Sequence, residues 1–189
     1  MSLPADEPFS FGGRLSLDLT WTVRYRAVCP TELLVTPGEL CRWPKAVGLP
    51  APRRATDADL GAAVVLREAI YRAATAVIDG QPIRASDRAA INERAALAPP
   101  SPVLATDGTR RLATPTGQEV SSSLSAVARD AVELLSTGDG RLRRCSGPQC
   151  SLLFHDSSRP GSRRWCDTTR CGNKANTTAY RKRRREPGG

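Results

Sequence analysis

The sequence predicts a mainly α-helical N-terminal domain with one small β-hairpin, followed by a small C-terminal module closed by four cysteines. Three observations lead there. Two long stretches, 56–80 and 120–138, place apolar residues at helical spacing, and four of the six cysteines fall in the last 49 residues. That same end also carries the charge excess. Residues 141–189 hold 13 Lys and Arg against 3 Asp and Glu, a balance of +10, while residues 1–140 hold 15 against 16. A near-neutral body with a basic end has the electrostatic footprint of a polyanion binder rather than of a merely soluble basic protein.

The helical body builds up in order. Residues 13–26 are apolar at Leu15, Leu17, Leu19, Trp21 and Val23. That alternation suits a strand, although the short polar gaps also fit a mostly buried helix, which is the expectation adopted. Pro37 suits the first turn of a short helix running to about Trp43, with Pro44, Pro50 and Pro52 interrupting the stretch beyond it. Thr56 is an N-cap candidate, with Asp57 and Asp59 in the first turn, where the helix dipole favours acids. From there Ala63, Leu66, Ile70, Ala73 and Val77 share one face, and Gly80 stops the helix. Ser86 is expected to cap the next helix, with Ala90, Ile91 and Leu97 facing inward before Pro99-Pro100. Val103-Leu104 and Arg111-Leu112-Ala113 flank Asp107-Gly108, a dipeptide that favours a tight hairpin turn. The last long helix carries Val120, Leu124, Val127, Ala131 and Leu134 on one face and closes at Gly138-Asp139-Gly140, a natural boundary. Residues 1–138 are thus read as one domain and 141–185 as a second.

The second part reads Cys145-x4-Cys150-x15-Cys166-x4-Cys171. Two close pairs joined by a loop can bring four thiolates onto one tetrahedral ion, which makes Zn²⁺ the expected cofactor. Four protein ligands leave no open position, so the zinc is structural rather than catalytic. Unrelated reduced thiols and an iron–sulfur cluster are the alternatives. The N-terminus carries no basic segment leading into an apolar core, and no apolar run approaches the ~20 residues of a membrane span. A cytoplasmic, reduced protein away from the membrane is therefore expected. His155, the one histidine, is expected in a loop or strand rather than on the metal, and with no nucleophile–base set nearby the chain does not read as an enzyme. Cys29 and Cys41 read as buried thiols or, alternatively, as a redox pair.

After Cys171, Asn173 can cap a basic helix on which Lys174, Thr178, Arg181 and Arg185 share a face. Anchored at the metal site, that face could lie in a DNA groove, while Lys182, Arg183, Arg184 and Arg185 suit phosphate, as do Arg163 and Arg164 beside the cysteines. The alternative is a solvated basic tail. Trp165 and Phe154 fit the small core of the module. Trp21, Arg24 and Trp43 are candidates for a small-molecule effector pocket, against a simpler role in the core.

These residues carry a resemblance. Arg144-Cys145-x4-Cys150-x2-Leu153-Phe154-x-Asp156-x-Ser158, then Arg164-Trp165-Cys166-x4-Cys171-Gly172-Asn173, resembles the CGNR zinc finger. Gly13-x-Leu15-x-Leu17-Asp18-Leu19-x-x-Thr22 and the helical layout resemble the ABATE domain, which accompanies this finger in bacterial stress-induced transcription regulators. The resemblance implies a transcription regulator that binds double-stranded DNA through the finger. Its N-terminal domain would sense an effector or make a homodimer, with the transcription machinery as a further partner. An RNA-binding zinc protein and an enzyme hidden in the N-terminal domain are the other classes. Lys174 stands where the motif that names the finger has arginine, keeping charge but not bidentate geometry. Trp21 stands where the N-terminal motif usually has asparagine, so a polar ligand site built by that residue does not carry over.

Overall fold

The computed structural model describes residue 9, residues 12–167 and residues 171–173. Five α-helices and three two-stranded antiparallel hairpins follow one another along these residues. The helices are α1 Leu15–Thr20, α2 Pro37–Ala46, α3 Asp57–Ile78, α4 Ala85–Ala95 and α5 Glu119–Ser136. The hairpins are β1 Val23–Arg24 with β2 Thr31–Glu32, β3 Ser101–Leu104 with β4 Arg110–Ala113, and β5 Leu142–Arg144 with β6 Leu153–His155. The chain is mainly helical, as expected, with two hairpins more than the one anticipated.

Helix α3 forms because both of its ends are specified locally. The Asp59 N–H donates to Thr56 Oγ1 at 3.1 Å and the Thr56 N–H donates to Asp59 Oδ2 at 2.9 Å, a reciprocal capping box. At the other end Gly80 takes φ +65°, and the Gln81 and Gly80 N–H groups close on the Ala76 and Val77 carbonyls at 2.8 and 3.2 Å. Between these caps, Ala63, Leu66, Ile70 and Ala73 are buried against Leu124, Val127 and Ala131 of α5. Leu19, Leu40, Trp43 and Ile91 complete this core from the shorter helices. The periodic residues of α5, from Val120 to Leu134, are all buried.

Several local expectations are corrected. Helix α1 ends at Thr20, because Thr20 and Thr22 turn their hydroxyls back onto the Leu17 and Leu19 carbonyls, both at 2.7 Å. The chain then pairs as β1 with β2, Val23 opposite Glu32. Helix α2 continues past Trp43 to Ala46 and contains Pro44. Ser86 does not cap α4. The N-cap is Arg84, and the start is anchored instead by buried Asp87, which takes the Arg72 guanidinium of α3 at 2.6 Å. Leu97 lies beyond the end of α4 and is exposed, while its carbonyl accepts the Ser125 hydroxyl at 2.7 Å. The turn between β3 and β4 is longer than a two-residue turn. Ala105 N–H bonds the Thr109 carbonyl at 2.9 Å, and Gly108 supplies the left-handed residue at φ +77°.

The finger does not hang from the body on a linker. Gly138 and Gly140, both at φ +64°, turn the chain out of α5, and Leu142 and Leu153 enter one buried cluster with Leu17, Ala74 and Leu134. Trp21 goes further, joining Cys145, Leu152, Phe154 and Cys166 in the core of the finger. Its indole N–H donates to the Leu153 carbonyl at 2.6 Å. Tyr71 Oη donates to the Ser151 carbonyl at 3.0 Å, and the Arg26 N–H donates to Ser151 Oγ at 2.8 Å. Arg26 itself lies 4.1 Å over the Tyr71 ring and forks onto Glu68, which also holds Arg67.

Within α1, Asp18 is buried and accepts the Gly12 N–H. Burial pushes its carboxyl from 3.8 up to about 6, the Gly12 N–H opposes the rise, and Asp130 adds to it. Asp130 is ion-paired to Arg14 Nε at 2.9 Å and takes the Ser16 N–H at 2.8 Å. A carboxyl whose value rises on folding binds its proton more tightly in the folded state. Its contribution is therefore fully present below about pH 4 and is lost as pH rises through about 6. Asp18→Asn keeps an oxygen for Gly12 and removes the charge. The variant is expected to be more stable than the parent above pH 6, with the difference shrinking to near zero by pH 4, as read by urea unfolding across that range.

Candidate metal centre and nucleic-acid interface

The four cysteines meet through two turns. Cys145 follows β5 and bonds the Leu152 carbonyl at 3.0 Å, extending the β5–β6 ladder by a residue. The chain then turns at Gly147-Pro148, and the Cys150 N–H closes on the Gly147 carbonyl at 2.9 Å. A side chain would crowd this turn: a Cβ on Gly147 would stand 3.0 Å from Cys150 Cβ and 3.4 Å from Cys171 Sγ. The second turn returns Cys171 to Cys166, with the Cys171 and Gly172 N–H groups both on the Asp167 carbonyl at 3.1 Å.

The four Sγ atoms lie within 4.8 Å of one another. Cys166 Sγ stands 3.7 Å from both Cys150 Sγ and Cys171 Sγ. Tetrahedral zinc with Zn–S bonds of about 2.3 Å requires S–S edges of about 3.8 Å, so the donor set fits that ion. A multi-iron cluster would hold its cysteines further apart, with sulfide between them. Gly147 and Cys166 N–H groups also point at Cys145 Sγ, both at 3.4 Å, as donors to a thiolate do. Packed this closely, the sulfurs cannot ionise independently. Hydrogen bonds from Cys150 and Cys166 lower the Cys145 thiol, while the Cys145 contact raises both Cys150 and Cys166. Burial raises Cys171, and the Cys145 charge adds to it. Four thiolates in this cage need a divalent cation between them. One structural zinc is the cofactor of the site.

The loop between the two cysteine pairs is tied down by Asp156, which is fully buried. Its Oδ1 takes the Ser158 N–H at 3.0 Å and the Ser158 hydroxyl at 2.6 Å, and its Oδ2 takes the Arg163 N–H at 2.8 Å. The Ser158 hydroxyl first, then these N–H groups, lower its carboxyl to about 2. Arg141 clamps the same loop from outside, donating to the Asp156 and Ser158 carbonyls at 2.9 and 2.7 Å. Arg163, expected on DNA, turns partly inward: its Nε donates to the Trp165 carbonyl at 2.7 Å, its Nη2 to the Cys166 carbonyl, and its guanidinium covers Phe154 at 4.9 Å. It braces the second knuckle. Arg164 lies over the Trp165 ring at 5.3 Å and stays exposed.

The remaining candidates separate. His155 pairs with Asp139 at 3.0 Å and is outside the metal group. Cys29 is exposed rather than buried, Cys41 is half-buried, and both are free thiols. Trp21 and Arg24 line one cleft beside Cys150, whereas Trp43 is fully buried in the helical core and does not join them. That cleft measures about 100 Å³, below the ~300 Å³ of an ordinary small-molecule pocket. Lys174, Thr178, Arg181, Lys182, Arg183, Arg184 and Arg185 lie outside the described residues. Among the roles that sequence reasoning missed, Asp156 and Ser158 were signalled only as polar positions within the finger motif. Trp21 gave no sign that it serves the finger.

Fold and site together define a helical protein that carries a structural four-cysteine zinc finger packed against its body. Residues 13–138 match the ABATE family, described as "Putative stress-induced transcription regulator", and residues 141–184 match the CGNR zinc finger. The first match alone spans more than half of the chain, which therefore belongs to the ABATE family and ends in a CGNR zinc finger. No curated protein matches the chain significantly. Among the described residues no helix is long and apolar enough to cross a membrane.

Residues that orient metal ligands from behind change metal affinity by about 10–100-fold when altered. Asp156→Asn loses one of two acceptors for Ser158 and Arg163, and is expected to weaken zinc retention by a factor in that range. Competition with a chromophoric chelator at pH 7.5 measures it. Unchanged retention would deny Asp156 this role.

Proposed function

We propose that the chain is a DNA-binding transcription regulator in which the zinc finger and the basic segment after it engage the duplex. In this reading the helical body regulates that engagement. The observation that supports it most directly is the placement of the charge: a balance of +10 falls on residues 141–189, around a structural metal site, and next to nothing falls on the rest. A closed zinc cage supplies no chemistry of its own and serves to hold a shape. The family description points the same way.

Transmission from body to finger would run through the buried contacts. Trp21 lies in the finger core and Tyr71 and Arg26 hold Ser151, next to the ligand Cys150, so displacement of α1 or α3 would be felt at the knuckle. The chain would act as a homodimer, since one short finger offers few base contacts and a paired site multiplies affinity. The small cleft beside Trp21 and Arg24 is too small for an ordinary effector, which would therefore enter elsewhere.

Selection of bound sequences from random duplex DNA with the zinc-loaded full chain tests the reading. Enrichment of an inverted repeat is the expected result. Tighter binding to structured RNA than to any duplex would replace it with RNA recognition.

A further inference from the structure

Apart from the metal cage, the finger and the body enclose a second feature. A cleft of about 610 Å³ opens between the C-terminal ends of α3 and α5 and the hairpin β5–β6. Its walls include Arg143, Arg144, Arg163 and Arg164, and its apolar lining includes Ile78 and Leu134. Asp139 is the one carboxylate among the lining residues, and it is already engaged by His155 Nε2 at 3.0 Å and by the Arg141 N–H at 2.9 Å. Four guanidiniums thus share a concave site with one compensated acid.

These arginines face a different surface from the one the sulfurs line. No cysteine lines this cleft, whereas Cys150, Cys166 and Cys171 line the small cleft beside Trp21. Each of three guanidiniums is steadied by a protein acceptor. Arg143 Nη2 donates to the Gly161 carbonyl at 3.2 Å, Arg144 Nη2 to Asp79 at 3.1 Å, and Arg163 to the Trp165 and Cys166 carbonyls. Arg164 rests on the Trp165 ring. A guanidinium carries five N–H donors in a planar fork, so those contacts orient the groups while leaving donors over for a ligand. A concave surface with apolar walls also focuses the field of its charges. Forked donors of one sign in a cleft of several hundred Å³ match tetrahedral oxyanions.

We propose that this cleft binds phosphoryl oxyanions. The phosphate chain of a small phosphorylated ligand and the phosphodiester backbone of a nucleic acid offer the same chemistry to it. The site goes beyond the DNA-binding reading: its four guanidiniums belong to the finger, and the ends of α3 and α5 close its apolar side.

The test uses the zinc-loaded full chain and the double variant R143Q/R164Q, which spares Arg163 and its hold on the knuckle and Arg144 and its bond to Asp79. Calorimetric titration with pyrophosphate is one arm. The salt dependence of binding to a duplex of random sequence is the other. Loss of two phosphate contacts lowers the slope of log Kobs against log salt by about 2. Pyrophosphate binding weakened by about tenfold or more, with an unchanged slope, assigns the cleft to a small phosphorylated ligand. A slope lowered by about 2 assigns it to the nucleic-acid backbone. Either result upholds the proposal. If the variant leaves the slope unaltered, and pyrophosphate either fails to bind the parent or binds parent and variant equally, the proposal is overturned, whether or not the chain binds DNA. Should the double variant lose zinc, R143Q alone is used, with an expected slope change of about 1.

Discussion

A segment of some forty residues cannot bury enough apolar surface to hold itself together, and small domains make up the deficit with a metal, a disulfide or a partner. The finger of this protein uses two of these. Zinc joins the four thiolates, and the body contributes Trp21, whose ring fills the space among Cys145, Leu152, Phe154 and Cys166 while its N–H meets the Leu153 carbonyl. Burying a side chain of that size is worth on the order of 2–3 kcal/mol, a large fraction of what so small a unit can muster. The close fit extends back into the body, since a Cβ on Gly12 would stand 3.1 Å from the Trp21 ring. The finger is therefore completed by α1 rather than appended after α5, and the rest of the architecture depends on that completion.

Polar contacts reinforce the same seam. Leu142 and Leu153 share a buried cluster with Leu17, Ala74 and Leu134, and around it Ser151 takes bonds from Tyr71 and Arg26. Arg144 reaches Asp79 across the exposed edge, where solvent screening leaves an ion pair of little energetic weight. The buried contacts set the relative placement of the two parts, and Arg144–Asp79 decorates it. This division also explains why the basic groups fall into separate roles. Arg141 holds loop carbonyls, Arg163 braces the knuckle from the edge of the open cleft, and Arg143 and Arg164 line that cleft beside it.

Much of this was legible in the residues because it is local. The N-cap at Thr56, the stop at Gly80 and the five apolar positions of α5 need only neighbours a turn away. The cysteine pairs were legible for a similar reason, each being closed by one turn. The features that escaped depend on distant partners. Strands β1, β2, β5 and β6 have two or three residues each, too few for any periodicity to register. Trp21 looked like a candidate for a ligand pocket because nothing near it in sequence reveals that Leu153 lies opposite. Ser86 looked like a cap because the competing attraction, Arg72 for Asp87, comes from another helix. Arg163 carries the same charge as Arg164, and only the carbonyls it meets distinguish a brace from an exposed contact.

The central claim is that metal cage and helical body form one unit through Trp21. Amide hydrogen exchange, followed by mass spectrometry before and after zinc is stripped with a chelator, addresses it directly. Faster exchange across Leu17–Trp21, far from any cysteine in sequence, is the result this account predicts. Protection in α1 that survives zinc removal unchanged, with exchange quickening only in residues 141–173, would contradict it.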